Sequence, residues 1–307
     1  MKLKAGKGAA KMELLSPKVD FIFKRIFGSE ENKDILISFL NAVFEDSGQP
    51  LIVSVELLNP FLEKDALTDK QGVLDVKAKT ETGTLLDVEI QLQNHQDMEK
   101  RTLFYWAKMF EEQLEEGQSY HKLHKAVTIN VLDFDYILSD KYHTTFHLHE
   151  DTLPHLRLTD LLEIHFVELR KLKEQSVGLE RRLVRWMLFL TAKTKERLEE
   201  LAMEEPAMQK ALTTLEFLSQ DKRTRELYEQ RQKGLQTYAA DMEGAREEGR
   251  EEGREEGREK GELLRARLTA RNLLIMGLDV EAIAQATELS VSEVEQIRQG
   301  MDLSTLH

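Results

Sequence analysis

The chain has 307 residues and no cysteine among them. Disulfides, thiolate zinc sites, iron–sulfur ligation and a cysteine nucleophile are therefore excluded. Proline is scarce, at 5 residues, which excludes collagen-like, mucin-like and wholly disordered chains. No apolar run approaches the roughly 20 residues that span a bilayer, and Met1–Met12 carries lysines without the apolar stretch of a signal peptide. A cytoplasmic protein with no membrane partner is expected. Neither GxxxxGK[ST] nor GxGxxG occurs, so no nucleotide cofactor is expected. Positive charge is in deficit: 43 Lys and Arg stand against 56 Asp and Glu, a net charge of −13. A field of that sign repels phosphate, so nucleic acid is met only through local basic patches. The N-terminus holds one, with Lys2, Lys4, Lys7, Lys11, Lys18, Lys24 and Arg25 against Glu13 and Asp20.

What is present is a composition of 41% hydrophobic and 32% charged residues, that of a helix-rich globular protein of about two domains. Residues 1–13 read as a basic flexible tail. Ser16-Pro17 opens a helix whose Phe23, Ile26 and Phe27 share one face, and Gly28 stops it. A second apolar helix covers Asp34–Phe44. Strands follow at Leu51–Leu58, Val73–Lys79 and Thr84–Gln93, then a helix at Met98–Leu114 and a buried strand at Lys125–Phe134. The result is a compact α/β unit over residues 14–150. Residues 151–240 read as a helical extension, 241–262 as a Gly/Glu/Arg repeat helix or linker, and 263–307 as a small helical module.

The hairpin at residues 73–93 can carry chemistry. Asp75, Lys77 and Lys79 share a face of the first strand; Asp87, Glu89, Gln91 and Gln93 share one of the second. A three-residue loop, Glu81-Thr82-Gly83, with glycine in the left-handed position pairs Thr80 with Thr84. It then sets Lys77 opposite Asp87, Asp75 opposite Glu89 and Val73 opposite Gln91. Two carboxylates facing each other repel, and a divalent cation on oxygen ligands would compensate. The alternative is a solvated face on which Lys77 pairs with Asp87 while Asp75 and Glu89 are merely exposed. A slip of one residue would separate the two carboxylates altogether.

The run Asp20-Phe21-Ile22-Phe23-Lys24-Arg25-Ile26-Phe27-Gly28, then Asp75, then Glu89-Ile90-Gln91, with Arg101–Tyr105 and Val127–Val131 in order, resembles the Rpn family. These are recombination-promoting nucleases, also described as transposases of the PD-(D/E)XK superfamily. The resemblance spans roughly residues 14–140. It implies a restriction-endonuclease-like core, a mixed sheet flanked by helices, here followed by an all-α C-terminal region. It also implies Mg²⁺-dependent (or Mn²⁺-dependent) cleavage of DNA in recombination, mobile-element or defence biology. Carried over, Asp75, Glu89 and the carbonyl of Ile90 would be metal ligands. Gln91 would stand where the superfamily usually has Lys. Glutamine can orient a water but cannot take its proton, so the base would have to be a metal-bound hydroxide or a borrowed group. Asp20 and Lys24, four apart on one helix, are candidates for support, or else form an ordinary surface pair. Lys24, Arg25 and Lys77 would contact phosphates. A catalytically weakened relic that only binds DNA or protein is the alternative, kept open by Gln91.

Other features are weaker. His143, His147 and His149 have spacings that metals use, but no carboxylate completes a motif, so no metal role is expected. Trp106 and Trp186 lie in apolar helical windows and read as core. Leu278–Arg298 has the cadence of a helix-turn-helix, yet Glu293 and Glu295 would face phosphates and Glu288 replaces the usual turn glycine; an interaction module is expected. Gly249, Gly253, Gly257 and Gly261 recur every four residues, about 400° of helix rotation, so they make a nearly continuous smooth stripe. Each costs roughly 1 kcal/mol relative to Ala, which close packing against another helix would offset. A homodimer through these C-terminal helices is expected, with Leu263, Leu264, Leu268, Leu273, Leu274, Ile283 and Val294 forming a small core.

Overall fold

The computed structural model describes residues 13–60, 75–94, 97–172, 178–203 and 205–304. Residues 1–229 form one compact unit and 230–307 a second. In chain order the helices and strands of the first unit are α1 (Asp20–Phe27), α2 (Lys33–Asp46), β1 (Val55–Leu57), β2 (Val76–Thr80), β3 (Leu85–Gln91), α3 (Met98–Glu111), β4 (Ala126–Leu132), β5 (His143–Phe146), β6 (Leu162–Glu168), α4 (Arg182–Thr191), α5 (Lys195–Ala202) and α6 (Pro206–Gln220). Helix α7 (Lys222–Ile275) begins there, and α8 (Val280–Thr287) and α9 (Val291–Ser304) follow.

Helix α1 buries Ile22, Phe23, Ile26 and Phe27, the face that its spacing predicts. The Gly28 amide closes it on the Lys24 carbonyl at 2.8 Å. Six strands make one mixed sheet in the order β1-β2-β3-β4-β6-β5. The β2–β3 hairpin has the register expected: Val76 faces Val88 and Lys77 faces Asp87. Gly83, at φ +87°, supplies the left-handed residue of its loop. Val73 and Leu74 lie outside the described residues, and so does the expected pairing of Val73 with Gln91.

The sheet has two different faces. Leu86, Val88 and Ile90 of β3, with Val127, Ile129 and Val131 of β4, point into the main core, which α1, α2, α4 and α6 complete. Trp186 is fully buried there among Phe27, Phe39 and Phe189. The opposite face carries Leu85, Asp87 and Glu89 and is covered by α3. Met109 packs on Leu85 and Ala126, Met98 on Leu132, and the Thr102 hydroxyl donates to Asn130 at 2.9 Å. The middle of the hairpin's polar face is thus closed to water, with Asp87 1% exposed and Glu89 3%, while Lys79 remains exposed. β3 and β4 are parallel, so their connection must cross a sheet face, and α3 is that crossover.

A second difference lies in residues 151–240, which are not all helical. Leu162–Glu168 is a buried strand that runs parallel to β4 and antiparallel to β5. Its neighbours cover both faces, so Glu163 and His165 are buried along with Ile164 and Phe166, and the alternation that marks a half-wet strand is missing. Helices α4, α5 and α6 join the same core, so no structural boundary falls at residue 150.

In the second unit Ala270, Val280, Ile283, Ala284, Leu289 and Val294 form a small core, with Leu273 and Leu274 against it. Leu263, Leu264 and Leu268 remain exposed and do not join it. Glu288 takes the left-handed turn position at φ 59°. Ser290 and Glu293 then cap α9 reciprocally, through Glu293 N to Ser290 Oγ at 3.2 Å and Ser290 N to Glu293 Oε2 at 2.9 Å. At Gly249, Gly253, Gly257 and Gly261 an added Cβ would meet nothing within 4 Å, so the stripe is uncovered among the described residues. Glu255 and Arg258, three apart on the same helix, pair at 3.9 Å.

Candidate active site

The site forms where the start of β2 meets the end of β3. The Asp75 amide donates to Glu89 Oε1 at 3.0 Å, and the Ile90 amide donates to Asp75 Oδ2 at 2.9 Å. One oxygen of each carboxylate is therefore spent on the main chain. The other oxygens meet cations: Lys24 Nζ of α1 lies 3.3 Å from Asp75 Oδ1, and Arg101 Nη2 of α3 lies 3.0 Å from Glu89 Oε2. The Gln91 amide also donates to Glu89 Oε2, at 3.3 Å.

Burial pushes the Glu89 carboxyl up to about 7; the charge of Asp75 adds to this and Arg101 opposes it. Asp75 is raised too, by burial, with the Ile90 amide and Lys24 pulling the other way and Asp20 adding a small push upward. Asp87 is held well above the usual carboxylate range by burial, then by Glu89 and Asp75. Its Oδ1 is buried and has no hydrogen-bond partner among the described residues. Three carboxylates short of positive charge, one with an unpartnered oxygen, are a hard-oxygen donor set that suits Mg²⁺ or Mn²⁺.

Of the residues singled out in the sequence, Asp75, Glu89, Ile90, Gln91 and Lys24 come together, with Asp20 near enough for its charge to act on Asp75. Arg25 is exposed on α1. Lys77 stands elsewhere: it is opposite Asp87 in register, but its ammonium lies 2.5 Å from Glu112 and is buried, so its charge is matched within the fold. Two site residues are new. Arg101 belongs to the quoted Arg101–Tyr105 run, but spacing alone does not tell which way a crossover helix turns its residues. Asp87, paired with Lys77 in the solvated-face alternative, keeps that register but is buried, and its charge acts together with those of Asp75 and Glu89.

The histidines occupy the other sheet face. His143 bonds Asp46 at 2.8 Å and His165 at 2.9 Å; His165 bonds Glu163 at 2.6 Å, and His147 bonds Glu163 at 2.9 Å. His147, Asp160 and Glu163 bring ligand-type atoms within 4.8 Å of one another. Lys125 takes the cation's place there, 2.7 Å from Glu163 and 3.3 Å from Asp160. His149 instead takes part in an isolated antiparallel backbone bridge with Arg157. Trp106 is half-buried, donates to the Ala126 carbonyl at 2.9 Å and stacks on Phe110. Among the described residues no helix is long and apolar enough to cross a membrane.

No curated protein and no solved structure matches this chain. The model of a family described as PD-(D/E)XK nuclease family transposases matches residues 17–245. That stretch contains every site residue above and extends well past the roughly 14–140 of the sequence resemblance, through β6 and α4–α6. The mixed sheet, the facing Asp75 and Glu89 and this match lead to one statement: the chain belongs to the PD-(D/E)XK nuclease family transposases.

Proposed function

We propose that this protein is a divalent-metal-dependent DNA endonuclease of low sequence specificity, serving recombination, mobile-element or defence biology. The observation that carries the proposal is that Asp75 Oδ1 and Glu89 Oε2, the oxygens of these two carboxylates that accept from no main-chain amide among the described residues, are covered by the side chains of Lys24, Arg101 and Gln91. Asp75, Glu89 and the carbonyl of Ile90 would hold Mg²⁺ or Mn²⁺. Bound there, the ion would polarise the scissile phosphate and lower the pKa of a water. Gln91, with its amide already on Glu89, orients the attacking water through its own carbonyl oxygen but accepts no proton. Asp20, on the same side of α1 as Lys24, is our candidate to take that proton. Lys24 and Arg25 contact the phosphate backbone, together with the basic tail.

A homodimer completes the reading. The glycine stripe of α7 is uncovered among the described residues, and its helix-propensity cost is offset if a second copy packs against it. Two nuclease centres in one particle suit a double-strand break. Nicking of supercoiled plasmid in Mg²⁺ against EDTA, wild type beside Glu89→Ala, tests the endonuclease reading.

A further inference from the structure

Asp75 and Glu89 each divide their two oxygens between a fixed and a removable partner. Asp75 Oδ2 and Glu89 Oε1 accept from main-chain amides within the sheet. Asp75 Oδ1 and Glu89 Oε2 face Lys24 and Arg101. These two cations approach from different helices. Their side chains are 35% and 36% exposed, whereas the carboxylates they cover are 11% and 4% exposed. Two anions buried side by side persist only if compensated, and long, part-exposed side chains are the groups that can leave again.

We propose that Lys24 and Arg101 are exchange partners of the metal: they cover its two carboxylate oxygens until a divalent cation takes them, and then turn to the phosphate. The proposal rests on the endonuclease reading and assigns Arg101 a part in it. The exchange conserves charge, since two single positive charges leave as one double charge arrives. It also supplies what Gln91 lacks, a positive side chain beside the phosphate. Arg101 has somewhere to go, because its guanidinium already lies 5.1 Å over the ring of Tyr105, one turn further along α3. A planar guanidinium suits phosphate oxygens better than an ammonium does. Gln91, the other group on Glu89 Oε2, is neutral and does not have to leave on electrostatic grounds.

The experiment measures Mn²⁺ binding by calorimetry and plasmid cleavage at saturating Mn²⁺, on full-length wild type, Arg101→Met, Arg101→Lys and Glu89→Gln. Arg101→Met should bind Mn²⁺ about three- to tenfold tighter, because no resident cation has to be displaced. Its cleavage at saturating metal should fall about 100-fold, the usual effect of losing one donor to the reacting charge. Arg101→Lys should keep wild-type metal affinity and cut at an intermediate rate. A loss of metal affinity together with cleavage would make Arg101 a mere support for Glu89 and overturn the exchange. Wild-type cleavage by Arg101→Met at saturating Mn²⁺ would overturn it as well. If wild type neither cuts nor binds Mn²⁺ more tightly than Glu89→Gln, the endonuclease reading fails and the exchange with it. Should Arg101→Met not fold, the wild-type protein still decides. The Arg101 side-chain NMR resonance should shift on Mg²⁺ addition, and a resonance that stays put overturns the exchange.

Discussion

Asp75 and Glu89 are joined through the backbone: the Asp75 amide donates to Glu89 Oε1 at 3.0 Å, so two like charges are held together by the strand pairing that they themselves cap. Burial raises the pKa of both groups and leaves the pair dependent on added positive charge.

Stability in EDTA should carry that signature. Glu89 titrates at about 7 in the folded protein against 4.5 unperturbed, so the fold binds its proton more tightly than the unfolded chain does. The stability this contributes is complete below about pH 4.5 and is lost as the pH rises through about 7. Asp75 and Asp87 shift in the same direction, while buried His165, lowered by desolvation, slopes the other way. The comparison is therefore with Glu89→Gln. Relative to wild type, the variant should gain stability from about pH 5 to about pH 8, reaching roughly 1–3 kcal/mol. Thermal melts in EDTA check this; a difference that shrinks with rising pH contradicts it.

The hairpin was legible because its alternation and the Glu81-Thr82-Gly83 loop together leave one register, and that register puts Asp75 beside Glu89. The cover over that face was not legible. Alternation says which side chains share a face, not whether a crossover helix lies on it, so Arg101 and the burial of Asp87 could not be read. β6 was missed for a related reason. Glu163 and His165 are polar yet buried in an ion-paired network, and Leu162, His165 and Leu169 also fit helical spacing.

Gln91→Ala should separate metal binding from chemistry. Gln91 touches only one oxygen of Glu89, at 3.3 Å, so Mn²⁺ affinity should stay close to wild type. Cleavage should slow by about 10²-fold, the lower range for losing a group that positions a reacting proton. Calorimetry and single-turnover cleavage measure the two. Equal loss of metal in Gln91→Ala and Glu89→Ala would contradict the division of roles.

DNA binding should be weak, insensitive to sequence and steeply dependent on salt, because an acidic chain of net charge −13 holds phosphate only through local basic groups. Deleting residues 2–11 should lower affinity and flatten the slope of log K against log salt; Arg25→Gln should reduce that slope by about one. Fluorescence anisotropy at several salt concentrations checks both. Unchanged slopes would place the patch elsewhere.

For the glycine stripe, helicity and association should move in opposite directions. Gly253→Gln with Gly257→Gln should raise helicity, by about 1 kcal/mol per site in propensity, and should lower dimerisation of the full-length protein in sedimentation. A gain in helicity with no change in mass would leave the stripe a solvated helix.

The central claim is that Asp75 and Glu89 hold a catalytic divalent metal, and plasmid nicking by their neutral isosteres tests it most directly. With Mg²⁺ and equal purity, wild type should nick supercoiled DNA and lose the activity in EDTA. Asp75→Asn and Glu89→Gln should be inactive while melting at or above the wild-type temperature at about pH 8. Nicking by either variant at the wild-type rate would contradict the account.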